Sequence, residues 1–381
     1  VNTIPPVDLA RQHQQIADKV DAAVLAVLHS GRYIGGAVVT DFELQFANYV
    51  GAAECVACNS GTDALYLALR ALNIGPGDEV ITSTFTFIAT TETINLAGAT
   101  PVFVDIDLGT FNLDLDQIEA AITPRTKAII PVHLFGQPVD MTRLKAIAQK
   151  YRLYIIEDCA QATGAEWAGQ QVGSIGDLGC FSYFPTKNLG TCGDGGSVTT
   201  HNLDWAATVR TIKEHGSRQR YYHDVVGVNS RLDSVQAAIL QVKLQYLDQW
   251  NQQRQAIAER YHEFLAPLPD IQLPQAILGG RHVWNQYTIL IRDRKSYDRN
   301  VGDLTWRDQI KEKLQESGVI AMVYYPIPLH LQRVYRDLNY QKGQFPAAEQ
   351  AARQVLSLPI FPDLTLEEQE KVVYVLKDAL S

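Results

Sequence analysis

Ile155-Ile156-Glu157-Asp158-Cys159-Ala160-Gln161 is the stretch from which the fold is read. A short apolar run, beginning at Leu153, ends on two acids. The run shows no alternation of apolar and polar residues, so it reads as a strand buried on both faces. That is the pattern of a mostly parallel sheet covered by helices. In open α/β sheets ligands bind beyond the carboxyl ends of the strands, which is where Glu157 and Asp158 stand. A carboxylate there can hold a pyridine nitrogen protonated and make the ring an electron sink. A helix N-cap or a metal ligand are the plainer readings, and no His or Cys cluster nearby in the sequence completes a metal site.

Outward from this strand the same style repeats. Further strands are expected at Glu79 to Thr82, Pro101 to Val104, Ala128 to Val132, Gly179 to Phe184 and Gly196 to Thr199. Between them, helices are expected at Thr62 to Leu72, Phe87 to Ala97, Leu115 to Ala121 and Met141 to Tyr151. Leu65, Ala68, Leu69 and Leu72 share one face at helical spacing. Gly75-Pro76-Gly77-Asp78 stops a helix and leads into a strand. After residue 245 the style changes. A long helix (Gln236 to Phe264) leads into proline-rich sequence, then short strands around Trp284 to Ile291 and Ala321 to Tyr325. Thr365-Leu366-Glu367-Glu368 reads as a capping box opening a last helix. The expectation is a large α/β domain over 1–245 and a smaller α+β domain over 246–381.

The chain has 381 residues and a net charge of −9, without a long basic run, which argues against a nucleic-acid or anionic-membrane surface. No stretch has the apolar length of a membrane span, and Val1-Asn2-Thr3-Ile4-Pro5-Pro6 does not read as a signal peptide, so a cytoplasmic location is expected. Five cysteines do not suggest a disulfide framework. Cys55 and Cys58 form a CxxC with no second pair at zinc spacing, and read as two small buried residues.

Three more segments bear chemistry. In Asn59-Ser60-Gly61-Thr62-Asp63-Ala64-Leu65, glycine and hydroxyl residues open an amphipathic helix, whose free N–H groups suit a phosphate; an ordinary N-cap is the bland alternative. In Phe181-Ser182-Tyr183-Phe184-Pro185-Thr186-Lys187-Asn188-Leu189-Gly190, a lysine follows a strand in apolar surroundings. Desolvation there favours the neutral amine that forms a Schiff base, although most lysines are only solvated charges. In Gly227-Val228-Asn229-Ser230-Arg231-Leu232-Asp233, Asn229 is a short polar donor and Arg231 a fork for phosphate or carboxylate; a capping segment with a surface ion pair is the alternative.

With Asp158 about thirty residues before Lys187, this order resembles fold-type I pyridoxal-5′-phosphate (PLP) enzymes. The wording is similar to the DegT/StrS family of sugar aminotransferases over nearly the whole chain. It includes Pro6-Val7-Asp8-Leu9, Phe85-Thr86-Phe87-Ile88-Ala89-Thr90, Pro131-Val132-His133-Leu134-Phe135-Gly136, Tyr325-Pro326-Ile327-Pro328 and Leu356-Ser357-Leu358-Pro359. The resemblance implies a seven-stranded, mostly parallel sheet between helices. It implies that Lys187 forms a covalent aldimine with PLP and shuttles the proton, that Asp158 pairs with the ring nitrogen, that Gln161 bonds the ring hydroxyl and that Phe87 stacks on the ring. Gly61, Thr62 and Ser182 would hold the phosphate, and Asn229 would reach the phosphate of a neighbouring subunit, in a homodimer with shared sites.

A few relatives carry His in place of the lysine and are dehydratases; with Lys187, amino transfer from L-glutamate to a keto sugar nucleotide is implied. The run from His215 to Asp233 looks like members that aminate C3, such as enzymes for UDP-2-acetamido-3-oxo-glucuronate and for dTDP-3-keto-6-deoxyhexoses. Arg231 would face a uronate or diphosphate. Tyr324 stands before Tyr325-Pro326 where many relatives have His, so Tyr324, Tyr325 and His330 are the candidate sugar contacts, His330 as a substitute imidazole or, as the bland alternative, a packed surface His. Amination at C4, a non-catalytic regulatory relative, and a desulfurase-like step at Cys192 are the other readings.

Overall fold

A computed structural model describes residues 3–292 and 305–381. The first two residues of the amino-terminal stretch read above lie outside them. The main sheet has seven strands: β1 (Glu54–Cys58), β2 (Glu79–Ser83), β3 (Thr100–Val104), β4 (Thr126–Ile130), β5 (Tyr154–Asp158), β6 (Leu178–Ser182) and β7 (Gly196–Thr200). Their order is β1-β7-β6-β5-β4-β2-β3. The ladders from β6 to β3 are parallel, and β7 alone runs against both its neighbours. β2, β6 and β7 are buried along their whole length, as the unbroken apolar runs foretold.

Helices α1 (Leu9–Ser30) and α2 (Ala37–Val50) precede the sheet; α3 (Gly61–Ala71), α4 (Ala89–Leu96), α5 (Leu115–Ala121), α6 (Met141–Tyr151) and α7 (Leu203–Lys213) connect or cover its strands. One core packs α3 and α7 on the sheet through Leu65, Leu69 and Val209; α2 meets the other face through Phe42, Phe46 and Phe181. The strands and helices expected between residues 62 and 200 are present, with ends moved by at most a few residues.

The long helix expected over Gln236 to Phe264 is two: α8 (Ser234–Leu244) and α9 (Leu247–Leu265). The halves serve different cores. α8 lies on α1 and α2, with Lys243 Nζ tied to Gly190 O at 2.8 Å, whereas α9 buries Ile257, Ala258 and Tyr261 in a second core. That second core holds a small antiparallel sheet of β8 (Ile271–Gln272), β9 (Tyr287–Ile291) and β10 (Val355–Leu358), with helices α10 (Trp306–Glu316), α11 (Pro346–Gln354) and α12 (Leu366–Leu380) nearby. Ile4 belongs to this core as well, through backbone bonds to Gly318 and Ile320. The capping box at Thr365 is formed: its hydroxyl accepts from the Glu368 N–H and the Glu368 carboxylate accepts from the Thr365 N–H.

The strand expected at Ala321 to Tyr325 is absent. Only Met322 bridges to Ser357, after which the chain turns so that Tyr324 and Tyr325 face a cavity. No helix among the described residues is long and apolar enough to cross a membrane.

Candidate active site

A cavity of about 440 Å³ opens beyond the carboxyl ends of β2, β4 and β5, between them and the Tyr324–Tyr325 turn. Gly61, Thr62, Phe87, Asp158, Gln161, Ser182, Lys187, Tyr324 and Tyr325 all line it. Residues from α3, β5, β6 and the Tyr324–Tyr325 turn thus meet in one space.

Asp158 is the last residue of β5 and is 4 % exposed. The Thr90 hydroxyl donates to its Oδ2 at 2.8 Å, and the Ala160 N–H donates to its Oδ1 at 3.1 Å. Each oxygen keeps acceptor capacity to spare. Burial pushes the carboxyl pKa up, and the two hydrogen bonds and the charge of Lys187 pull against that. Lys187 follows β6 by a short turn closed by its own N–H to Phe184 O. Desolvation brings its pKa down to about 8, although Asp158 favours the charged form. A substantial neutral amine fraction near pH 8 is the state a nucleophilic lysine needs.

The opposite end suits an anion. Ser60 caps α3, its Oγ accepting from the Asp63 N–H at 3.1 Å. Gly61 and Thr62 are the first two helical residues, so their N–H groups have no partner within the helix. A Cβ on Gly61 would fall 2.6 Å from Ser182 Cβ. Glycine is what lets the helix start come against β6 here.

A third wall is polar and aromatic. The Phe135 N–H donates to Gln161 Oε1 at 2.7 Å, and Gln161 Nε2 donates to the Tyr325 hydroxyl at 3.1 Å. The Phe87 ring lies 6.2 Å from that of Tyr325 and is 55 % exposed, which leaves a flat apolar face free for a ring.

Three of the expected site residues do not line the cavity. Asn229 is exposed, with its backbone bridged to Glu214. Arg231 pairs with Glu214 at 3.2 Å, the surface ion pair of the bland alternative. His330 is 2 % exposed, neither at the surface nor at the cavity. Its Nδ1 is 2.8 Å from Thr84 Oγ1 and its Nε2 3.2 Å from Glu349. Both ring nitrogens are engaged between the end of β2 and α11, so the ring ties these elements together and supplies no imidazole to the cavity.

In the sequence no His or Cys cluster near the acids at 157 and 158 completes a metal site. The fold changes that: His133, Glu157 and Cys159 bring possible ligand atoms within 4.8 Å of one another. Their hydrogen bonds assign them to structure. The Val139 N–H donates to His133 Nδ1, so Nε2 carries the hydrogen and donates to Glu157 Oε2 at 3.0 Å. Glu157 also accepts from the N–H groups of Gly173, Ile175 and Gly176. Cys55 and Cys58 lie in β1, both buried.

Thr90, Thr86, Asp194 and Gln286 line the cavity too, and no local sequence signal singles them out. Thr90 closes the Phe85–Thr90 segment, but only the tertiary fold carries α4 to the end of β5.

The profile of the DegT/DnrJ/EryC1/StrS aminotransferase family matches residues 14–377. A UDP-N-acetyl-3-dehydro-alpha-D-glucosamine 3-aminotransferase of Acidithiobacillus ferrooxidans is 47% identical over 377 residues, 99% of this chain and 98% of that protein. A pleiotropic regulatory protein of Geobacillus stearothermophilus is 47% identical over 372 residues, 97% and 96% of the two chains. The solved structure of S. venezuelae DesV in complex with a ketimine intermediate superposes with a TM-score of 0.94 at 41% identity, covering 99% of this chain and 98% of that one. By profile, sequence and three-dimensional likeness together, the chain belongs to the DegT/DnrJ/EryC1/StrS aminotransferase family.

Proposed function

We propose that this protein moves an amino group from L-glutamate to C3 of a keto sugar nucleotide, with PLP bonded covalently to Lys187. The observation that carries the reading is the shared cavity: a desolvated lysine and a buried strand-end carboxylate face the same space as a free helix N-terminus. PLP has an aldehyde, a ring nitrogen and a phosphate, and this donor set answers each. The glycine cradle at Gly61, which a Cβ would fill, supports the phosphate end. When bound, PLP supplies an electron sink for the substrate carbon that loses its proton.

The chain's own residues do the rest. Lys187 Nζ would hold the cofactor and would carry the proton on and off the substrate carbon. Asp158, fixed by Thr90 and Ala160, would pair with the ring nitrogen and favour its protonated form. Phe87 covers the ring, Gln161 faces the ring hydroxyl, and Gly61, Thr62 and Ser182 take the phosphate. Tyr324 and Tyr325 bound the space left for the sugar. Asn229 and Arg231, outside the cavity of their own chain, serve the site of a second copy in a homodimer: Asn229 at the phosphate, Arg231 at the sugar's diphosphate or carboxylate. The break between α8 and α9 supports a domain division at 245/246, with Ile4 returning to the smaller unit. A cytoplasmic location fits a sugar-nucleotide substrate.

Amination at C3 is supported by the 3-aminotransferase name of the Acidithiobacillus relative. The regulatory name of the Geobacillus relative marks the second reading, a PLP or sugar-nucleotide sensor. Spectroscopy separates the two. PLP-loaded protein is expected to lose its visible band on adding glutamate and to regain it on adding a 3-keto sugar nucleotide. A band indifferent to glutamate would point to the sensor, and stronger recovery with 4-keto compounds would move the amination to C4.

A further inference from the structure

The wall formed by Gln161 and Tyr325 has a hydrogen-bond direction that the backbone sets. A peptide N–H can only donate, so the bond from Phe135 N at 2.7 Å fixes the oxygen end of the Gln161 amide toward it. The amide nitrogen then faces Tyr325, 3.1 Å from its hydroxyl. An amide NH2 also only donates, so the tyrosine oxygen is the acceptor. Its own hydrogen is left over, with no second bond to that hydroxyl among the described residues. Burial keeps the phenol's pKa above its ordinary value, so the hydrogen stays on the oxygen. The ring is held by an edge contact with Phe85, centroids 6.0 Å apart. A hydroxyl that already accepts a bond donates more strongly. Both side chains line the cavity that holds Asp158 and Lys187.

We propose that Tyr325 donates this hydrogen to the ring oxygen of PLP, the one beside the aldehyde, and that Gln161 is the positioning residue that aims it. The proposal rests on the PLP reading and refines it. Gln161 is not the sole donor to that oxygen: one Nε2 hydrogen orients Tyr325 and the other remains for the ring. With PLP held by Lys187, that oxygen would share a proton with the lysine-derived nitrogen. A donor on the oxygen makes it less basic and loosens that proton.

The test is a pH titration of the visible band of PLP-loaded wild type, Tyr325→Phe and Gln161→Ala. The band's pH midpoint should rise by about one unit in Tyr325→Phe, the size expected for one charge-assisted hydrogen bond. Gln161→Ala, which removes one donor and the aim of the other, should shift in the same direction. The PLP-free Tyr325→Phe protein should melt with PLP-free wild type. A midpoint unmoved in Tyr325→Phe overturns the proposal, and with a lowered melting temperature it assigns the hydroxyl to structure alone. If wild type takes up no PLP at all, the underlying reading fails first, a result separate from an unmoved midpoint.

Discussion

Thr90 is the residue on which the charge of Asp158 depends most directly. Burial drives this carboxyl toward its neutral form, and the Thr90 hydroxyl is the largest single influence pulling its pKa back down. Thr90→Val keeps the shape and deletes the donor, so the Asp158 pKa must rise further. An aspartate needed in its ionised form loses function as pH falls through its folded-state pKa. The acid limb of the pH–rate profile for the glutamate half-reaction should therefore move to higher pH. The rate constant should fall by roughly 10-fold, the equivalent of a hydrogen bond to a charged group, with little change in the KM for glutamate. Thr90→Ser should restore the profile. An acid limb that stays put in the valine variant would remove Thr90 from the mechanism.

At the scale of elements, the start of α3 and the end of β6 form a joint without room for a side chain. Gly61→Ala would set a Cβ 2.6 Å from Ser182 Cβ and 3.1 Å from its Cα, so helix and strand must part. The expected destabilisation is about 1–3 kcal/mol, as for overpacking in a core. PLP affinity should fall with it, because the separated parts are those assigned to the phosphate. Gly75→Ala is the control, since its Cβ would meet Ala97 O at an ordinary 3.4 Å. Thermal melts and PLP titration of both variants decide this. Equal behaviour of the two would show that the joint is slack.

At the scale of the whole molecule, the proposed dimer makes a prediction one chain cannot satisfy. Asn229 and Arg231 lie outside the cavity that holds Lys187, so shared sites require that Lys187 of one subunit work with Asn229 of the other. Lys187→Ala and Asn229→Ala subunits, each impaired alone, should regain function when unfolded together and refolded as a mixture. Random pairing gives hybrids in half of the dimers with one intact site of two, about a quarter of wild-type activity at limiting PLP. No recovery despite proven hybrids would mean that each chain completes its own site.

The sequence was sufficient for the central α/β body and for bringing Asp158, Gln161 and Lys187 to one cavity. Unbroken apolar strands announce a sheet buried on both faces, and strand-end acids lie where such sheets bind ligands. It did not show α1 and α2 or the break at Gln245-Tyr246, because a helix ends where packing partners change and local periodicity does not record the partner. Nor did it show that His133 would meet Glu157, or that His330 would be buried between Thr84 and Glu349. Those contacts join segments far apart in the chain, and only the packed fold sets the distance between them. Local sequence fixes which groups a residue offers; the tertiary structure decides which of them are already engaged and which are free to face a substrate.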